Sequence, residues 1–547
     1  MDKMKKEKKS FSNKKPVLNE KEKKISFFSA ILLVIGSTIG AGIFVKNEEI
    51  IGNNSGSLIF VIISWLLSII AVVCMGISLI EINSASKNAN LGVIGWIKDF
   101  GNKFLFKSGK YFMAFIYLPI NLFVMPLYVV QTIQDAFGWQ TEWWISFIIA
   151  LSLVLWFTII SGFSTKALNI QNWIITSVKF IPIVFAILIG FILYGINKSG
   201  ATPPSPWPVL DWNQGSHQLL TRLVPGLGII GSLPSIIFSF DGFYTTAGMQ
   251  SEMKKPEKTG LAIVSGLLIV SVIDLLITVS LLLCSTGKVG SITFFNEHRW
   301  VLATINIMIA FGILGIINGY SGYNPRYYEG LIYANELKVF KKWEKQLNPH
   351  RPVVGVKLVL LTVIPAFIVL SIIGAFAFID TTGYGTVEIF NIFTNKPATG
   401  YNDGKYALGG NLNNLYSFCD TMANWTSILI FGFITVVLIG GIINRKTKKL
   451  QVKQLKGFTI YALISSIIIG ISIIYLVVSV FVNIALVISW HKDIGQAVSN
   501  ETYQYKQWIK DLLGVTISLG VLILFIVVMT LPSYLEIRKE RLDHNRK

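Results

Sequence analysis

Four ionisable side chains lie inside long apolar segments of the sequence, where a charge is costly. They are Glu81, Lys179, Asp241 and Asp274. A charged side chain in hydrocarbon needs an opposite charge, hydrogen bonds or water beside it. Carboxylates and lysines in such segments can hold a cation, brace a helix or exchange a proton. These residues are therefore the first candidates for chemistry.

Two of the apolar segments also contain residues that interrupt a helix. Residues 36–44 read GSTIGAGIF, with three glycines in seven positions, and residues 234–248 contain Pro234 and two glycines around Asp241. Each glycine weakens a helix by about 1 kcal/mol relative to alanine. Unwinding frees backbone groups that only a cavity or a ligand can satisfy in hydrocarbon. A half-helix N-terminus suits a carboxylate, and the opposing carbonyls suit an ammonium.

The composition indicates what positions these residues. Of the 547 residues, 52% are hydrophobic and only 14% are charged, whereas a soluble chain carries about a quarter charged residues. The apolar residues come in long blocks separated by short polar stretches. This pattern predicts an all-α, polytopic membrane protein, and it excludes a soluble enzyme, a disordered protein and a disulfide scaffold.

We predict about twelve transmembrane helices, each long enough to cross a hydrocarbon core. The spans, numbered 1 to 12 in chain order, are residues 26–45, 57–82, 111–133, 143–161, 168–195, 226–249, 260–286, 299–325, 356–379, 422–443, 457–490 and 511–532. The predicted division is a basic tail 1–25, a core of spans 1–10 over 26–450, two additional spans over 451–532, and a basic tail 533–547.

The net charge of +19 follows from topology in this interpretation. Lys and Arg gather in the two tails and in alternate loops, which the positive-inside rule assigns to the cytoplasm. We therefore expect a multi-pass protein of a bacterial plasma membrane with both termini cytoplasmic, a basic tail close to anionic lipid, and no nucleic-acid partner. The five His and three Cys show no ligand spacing, so we expect no metal site. Cys419 is expected in an outer loop.

The interrupted spans are five apart. Since five is odd, spans 1 and 6 run in opposite directions, so spans 1–5 and 6–10 would be inverted repeats. Interrupted helices at matching positions of two halves indicate a transporter's binding site. Glycines that serve close helix packing are the alternative explanation.

At these residues the sequence resembles the amino acid–polyamine–organocation (APC) superfamily. Residues 36–44 are similar to its Gly-Ser-x-Ile-Gly-x-Gly-Ile-Phe signature, residues 238–242 to the Phe-Ala-Phe-Asp-Gly segment of its bacterial amino acid permeases, and residues 252–257 to its Glu-x-x-Asn-Pro stretch. The resemblance implies a LeuT-type fold: an inverted 5+5 repeat with interrupted helices 1 and 6, plus two further spans, working by alternating access.

The resemblance also implies the candidate site. Thr38, Gly40, Ala41 and Gly42 would hold a substrate carboxylate, although Ala41 replaces a Ser that is frequent there. The backbone carbonyls of the segment that contains Phe238, Ser239, Phe240, Asp241 and Gly242 would receive the α-amino group. Phe240 and Phe243 are candidates for a gate or a pocket wall.

Lys179 resembles a lysine that many sodium-independent members carry in span 5. Its ammonium would occupy the place of sodium and hydrogen-bond the broken part of span 1. Three roles stay open for Lys179: a fixed brace, a proton carrier or a residue that snorkels to the surface. Asp241 could face a cationic substrate, carry protons or bind free N–H groups of the broken helix.

Other polar residues have weaker expectations. Glu81 should pair with a basic loop residue. Asn318, Arg326 and Glu329 would form a cytoplasmic gate or simply anchor span 8. The long segment 380–421 would either cover the outer mouth or form a surface loop.

The sequence thus predicts a secondary active transporter of amino acids, coupled to protons or working by exchange, with no covalent chemistry and no cofactor. A carrier of polyamines or other organic cations is the first alternative. A membrane nutrient sensor or a membrane enzyme is the second, but no catalytic cluster or soluble signalling domain is evident.

Overall fold

The computed structural model describes the chain over most of its length. The described residues are 26–85, 91–138, 141–196, 206–207, 224–244, 253–255, 258–284, 292, 298–347, 351–378, 406–495 and 503–545. In this part of the chain the regular structure is helical, without a β-strand. The predicted tail 1–25 and most of the segment 380–421 lie outside the described residues.

The helices follow the order of the predicted spans. Span 1 consists of two helices, Phe27–Thr38 (half 1a) and Ala41–Asn53 (half 1b). The described helix of span 6 is Gly228–Ser239. The other spans are single helices. They are Leu58–Ala85 (span 2), Lys103–Phe137 (span 3), Trp143–Phe163 (span 4), Thr165–Gly195 (span 5), Thr259–Cys284 (span 7), Arg299–Tyr333 (span 8), Val353–Ala377 (span 9), Tyr406–Thr447 (span 10), Phe458–Gly495 (span 11) and Tyr503–Asn545 (span 12). The short helices are Val93–Phe100, Pro225–Leu227 and Lys341–Glu344.

The predicted membrane architecture agrees with these helices. Among the described residues, ten helices are long and apolar enough to cross a membrane, and the two halves of span 1, bent by 53°, make an eleventh crossing when taken together. Span 6 is the twelfth predicted span. Its helix ends early at Ser239, and residues 245–252 lie outside the described part of the chain.

Several predicted boundaries are wrong. Spans 3 and 12 begin at Lys103 and Tyr503, before their predicted starts at 111 and 511, and spans 8 and 12 continue to Tyr333 and Asn545, past their predicted ends at 325 and 532. Half 1b continues to Asn53 rather than ending at 45, and span 10 begins by Tyr406 rather than at 422. Cys419, expected in an outer loop, therefore lies buried in the helix of span 10. Hydropathy ends a span at its first charges, but Lys46 and Asp420 stay in their helices because they pair with each other.

The packing of spans 1–10 has internal symmetry. Spans 1 and 6, 2 and 7, 3 and 8, and 4 and 9 contact each other pairwise. The contact between spans 7 and 1 has a counterpart between spans 2 and 6. The contact between spans 8 and 5 likewise has a counterpart between spans 3 and 10. Exchanging each span with the one five later therefore preserves these contacts. Together with the breaks in spans 1 and 6, this confirms the all-α fold with an inverted 5+5 repeat.

The remaining spans lie against the repeat. Span 11 packs on spans 2 and 10, and span 12 packs on span 11 and on the start of span 3. Lys107 at the start of span 3 lies 2.7 Å from Glu536 near the end of span 12. The face where span 1 begins and span 12 ends is called the terminal face below, and the opposite face is called the far face. The most apolar stretch of span 3 is almost completely buried by other helices.

Candidate functional site

The break in span 1 leaves carbonyl groups that a lysine satisfies. Half 1a ends at Thr38, Ile39 is extended, and half 1b begins at Ala41. The ammonium of Lys179 donates to the carbonyl oxygen of Gly36 at 2.7 Å and to that of Ile39 at 3.3 Å. Lys179 is buried and points to the break, so snorkelling to the surface does not describe it. Its role in coupling stays a prediction.

The start of half 1b leaves donor groups at the same break. The first N–H groups of a helix have no partner within the helix. Gly40 precedes half 1b and provides no side-chain cap, and no acidic residue occupies the first turn. These N–H groups and the positive end of the helix dipole are suited to an anion.

The break in span 6 follows directly after Ser239. The N–H groups of Phe240 and Asp241 donate to the carbonyls of Ile237 and Phe238, each at 3.0 Å, which tightens the last turn. Gly242 then takes a φ of 100°, which side chains other than glycine rarely adopt. The chain therefore leaves the helical path at this point.

The two breaks lie against each other. A Cβ atom on Gly42 would sit 2.6 Å from the Cα atom of Ser239, and one on Gly242 would sit 2.7 Å from the carbonyl oxygen of Ser37. Each break thus contributes a glycine that contacts a serine of the other break. Only glycine permits this backbone approach, so the motifs serve close packing between the two broken helices as well as unwinding.

Asp241 is the centre of a hydrogen-bonded cluster. One carboxylate oxygen accepts from the hydroxyls of Tyr117 at 2.8 Å and Tyr244 at 2.7 Å, and the other accepts from Ser427 at 2.9 Å. Tyr117 also hydrogen-bonds Tyr244, and it lies 2.8 Å from the hydroxyl of Tyr320. The cluster joins span 6 to spans 3, 8 and 10. The described partners of Asp241 are thus mainly tyrosine and serine hydroxyls.

A distortion in span 3 delivers one of these tyrosines. Residues Met113–Tyr117 form a π-helical turn, and Tyr117 is its last residue. Such turns re-aim side chains and are frequent at functional sites. Sequence reasoning missed Tyr117, Tyr320 and Ser427, because a tyrosine or serine in an apolar helix is not unusual by itself.

The other predicted site residues lie at or beside the breaks. Thr38 donates to the carbonyl of Val34 in its own helix. The ring of Phe238 lies edge-on to Tyr128, and the ring of Phe240 lies edge-on to Trp65. The hydroxyl of Ser239 is buried and has no hydrogen-bond partner among the described residues. It is therefore available to a ligand. A Cβ on Gly40 would meet Ile316 of span 8, and half 1b begins at Ala41.

A charged cluster at the far face was also missed. The ammonium of Lys46, fully buried in half 1b, lies 2.8 Å from the carboxylate of Asp420 and 3.1 Å from that of Glu49. Tyr128 donates to Asp420 at 2.6 Å, and Asn424 donates to Glu49 at 2.8 Å. This cluster joins half 1b to spans 3 and 10 close to Phe238, which lies under the Lys46 ammonium.

The remaining polar predictions have simple outcomes. Glu81 pairs with Arg445 at 2.6 Å, as expected for a basic partner. Asn318 bonds Ser161 and the carbonyl of Leu168, and Glu329 accepts from the N–H groups of residues 354 and 355 at the start of span 9. Both contacts anchor span 8 to its neighbours, which favours the anchoring alternative over a gate.

Comparison with known proteins identifies the family. The family model described as "Amino acid permease" matches residues 25–498. An uncharacterized protein of Mycoplasma pneumoniae is 34% identical over 95% of this chain and 95% of its own length. The serine/threonine exchanger SteT of Bacillus subtilis is 28% identical over 55% of this chain and 66% of its own.

A solved structure, MhsT in complex with L-phenylalanine, superposes with a TM-score of 0.47 at 16% identity, over 82% of this chain and 97% of that chain. The family model covers most of the chain. The chain therefore belongs to the amino acid permease family and is a multi-pass membrane transporter.

Proposed function

We propose that this protein moves amino acids across a bacterial plasma membrane by alternating access, driven by a proton gradient or by exchange. The observation that carries the proposal is the contact between the two broken helices at Gly42 and Ser239. It gathers the first N–H groups of half 1b, the end of the span 6 helix, and the Ser239 hydroxyl, which has no hydrogen-bond partner among the described residues, at one buried place. Those groups complement the carboxylate and ammonium that every amino acid carries.

In this proposal the substrate carboxylate binds the N–H groups at the start of half 1b, from Gly40 to Gly42, with Thr38 beside it. The ammonium binds carbonyl groups of the segment from Phe238 to Gly242. The Ser239 hydroxyl adds one hydrogen bond. Asp241 holds the break of span 6 in shape through its tyrosine and serine partners, and does not contact the substrate.

The polar contacts suggest which parts move. Spans 1, 2, 6 and 7 would rock as a unit against the remaining core. Four polar contacts join this unit to the rest, beside apolar packing: Lys179 with span 1, Lys46 with Asp420, Asp241 with Tyr117, and Glu81 with Arg445. Hydrogen bonds and ion pairs can break in favour of water when a cavity opens, whereas tightly packed apolar surfaces resist separation.

The same proposal includes the topology. The terminal face, which carries the basic clusters of the sequence, would be cytoplasmic, and the far face external. Spans 1–10 (26–450) would form the transporter, and spans 11 and 12 (451–532) would support it, between the tails 1–25 and 533–547. Lipid surrounds the exposed apolar faces of the outer spans.

The alternative of a polyamine or organic-cation carrier requires an acidic pocket. Asp241 is the acidic residue at the breaks, and both of its oxygens already accept hydrogen bonds. A cation would have to displace those hydroxyls. The structure therefore favours a zwitterionic substrate, and a role as a nutrient sensor has no supporting feature among the described residues.

The test is counterflow in proteoliposomes loaded with unlabelled amino acids. External labelled serine and threonine come first, because SteT is an exchanger of those amino acids; lysine and putrescine form the cationic arm. Saturable entry of a zwitterionic amino acid that depends on the internal substrate supports the proposal. Entry of putrescine alone would favour the cation carrier, and entry of no compound would refute transport of these substrates.

A further inference from the structure

Asp274 is a buried carboxyl group that the proposed transport mechanism does not yet use. It lies in the middle of span 7 and is 1% exposed. Neither of its oxygens has a hydrogen-bond partner among the described residues. An ionised carboxylate in this position, without a partner, would cost several kcal/mol. The group is therefore expected to be neutral, or to meet a cation or water at another stage of the cycle.

Charged groups on the neighbouring helices do not neutralise it. Span 7 packs against both halves of span 1, span 2 and span 5. Within the described residues, none of the titratable groups on these helices bonds to Asp274. They are Lys46, Glu48 and Glu49 on half 1b, Cys74 and Glu81 on span 2, and Lys166, Lys179 and Tyr194 on span 5. Lys46, Glu81 and Lys179 are engaged elsewhere.

Two contacts locate Asp274 along span 1. A Cβ on Gly266 would lie 2.6 Å from Val34 of half 1a, and the hydroxyl of Thr278 donates to Asn47 of half 1b at 2.7 Å. Asp274 lies between these two positions, one turn before Thr278 and on the same side of span 7 as Thr278, roughly two-thirds of the way along the helix from Gly266 to Thr278. It is therefore level with the first turn of half 1b, which begins at Ala41.

We propose that Asp274 is the binding site of the coupling proton, and that it must be protonated when a substrate carboxylate occupies the start of half 1b. Two carboxylates near one helix N-terminus in a medium of low dielectric repel each other strongly. A proton on Asp274 removes that repulsion. Substrate and proton therefore bind together, and the proton leaves to water once the substrate has gone. Lys179 is then a fixed brace for span 1.

This inference rests on the proposed function, because it places the substrate carboxylate at half 1b. The Asp274→Asn variant mimics the protonated acid, since asparagine is neutral and has a similar shape. Ser271→Ala is the matched control: Ser271 is buried one turn earlier on span 7, and its hydroxyl donates to the carbonyl of Leu267 in the same helix.

The transport experiment measures the half-saturating substrate concentration for counterflow against pH, and accumulation driven by an imposed pH gradient. For the wild type and Ser271→Ala, we expect apparent affinity to weaken as pH rises and a pH gradient to drive accumulation. For Asp274→Asn, we expect counterflow to persist with an affinity independent of pH, and gradient-driven accumulation to be lost. Unchanged accumulation in Asp274→Asn would overturn the proposal.

Infrared spectroscopy of the purified protein tests the site without relying on transport. A protonated carboxyl group gives a C=O stretching band separate from the carboxylate bands. We expect such a band in the wild type and in Ser271→Ala, and we expect its intensity to decrease as the pH rises. In Asp274→Asn this band should be absent. A spectrum in which Asp274→Asn removes no such band would refute the proton site. If no amino acid is transported, the proposed function fails, and this measurement alone decides whether Asp274 binds a proton.

Discussion

The ammonium of Lys46 lies 2.8 Å from the carboxylate of Asp420, although 374 residues separate them in the chain. The same ammonium donates to the backbone carbonyl of Asp420 at 3.0 Å. Half 1b and span 10 are thereby joined at the far face beside Phe238, which precedes the break in span 6. A rocking movement that opens the far face has to separate these two residues.

Removing the carboxylate of Asp420 should destabilise the protein, because it leaves the buried Lys46 ammonium with a weaker set of partners. We expect Asp420→Asn to lower the free energy of unfolding by about 1–3 kcal/mol. The double variant Lys46→Met, Asp420→Asn should lose less than the sum of the two single variants, since the pair is coupled. Thermal unfolding in detergent provides the measurement, and additive losses would contradict a direct pair.

Gly42 should not tolerate a methyl group. An added Cβ would meet the backbone of Ser239 at 2.6 Å, so spans 1 and 6 would have to separate. Overpacking of this kind costs about 1–3 kcal/mol. We expect Gly42→Ala to abolish counterflow while Gly470→Ala, which has open space around it in span 11, keeps it. Uptake has to be normalised to the amount of folded protein, and normal uptake by Gly42→Ala would exclude close contact of the breaks during transport.

The tyrosine cluster around Asp241 predicts that two Tyr→Phe substitutions lower the free energy of unfolding by different amounts. Tyr117→Phe removes the hydroxyl that bonds Asp241, Tyr244 and Tyr320, whereas Tyr320→Phe removes only the outer member. The first change leaves a buried carboxylate oxygen with one hydroxyl fewer and should cost about 1–3 kcal/mol; the second should cost about 0.5–1.5 kcal/mol. Chemical unfolding followed by tryptophan fluorescence can rank them. Equal stability of the two variants would argue against Tyr117 as the centre.

Lys179 should be required for transport, whether or not it exchanges a proton. Without the Lys179 ammonium, the carbonyls of Gly36 and Ile39 lose the hydrogen bonds that it donates. The break in span 1 then has no brace from span 5. We expect Lys179→Ala to reduce initial uptake at least about tenfold, the rate change that corresponds to 1.4 kcal/mol. Lys166→Ala, an exposed position at the start of the same span, should retain uptake. Retained uptake in Lys179→Ala would remove this residue from the mechanism.

Much of the architecture could be predicted from local pattern. Long apolar blocks determine membrane helices, because unpaired backbone groups cannot remain in hydrocarbon. The glycines at 36–42 and the Pro234–Gly242 stretch mark helix breaks, because their effect on backbone geometry is intrinsic to the residue types. The spacing of the two breaks by five spans was enough to predict an inverted repeat.

Some helix boundaries could not be predicted, because they depend on contacts between distant parts of the chain. Hydropathy assigns polar residues at the ends of apolar runs to loops, so it predicts half 1b and span 10 too short. A charge inside a helix is compatible with the membrane only when a partner is present, and hydropathy contains no information about a partner on another span. The segment 406–421, expected as part of a loop, belongs to span 10 for this reason.

The sequence by itself determined the class of protein, the number and order of its helices to within the boundaries noted, and the two places where helices are interrupted. These depend on residue type and short-range spacing. Only the tertiary structure decided that Asp241 is satisfied by Tyr117 and Ser427, that Lys46 meets Asp420, and that Asp274 has no partner among the described residues. The cost of a buried charge depends on the atoms within a few ångströms, and folding brings those atoms together from spans far apart in the chain.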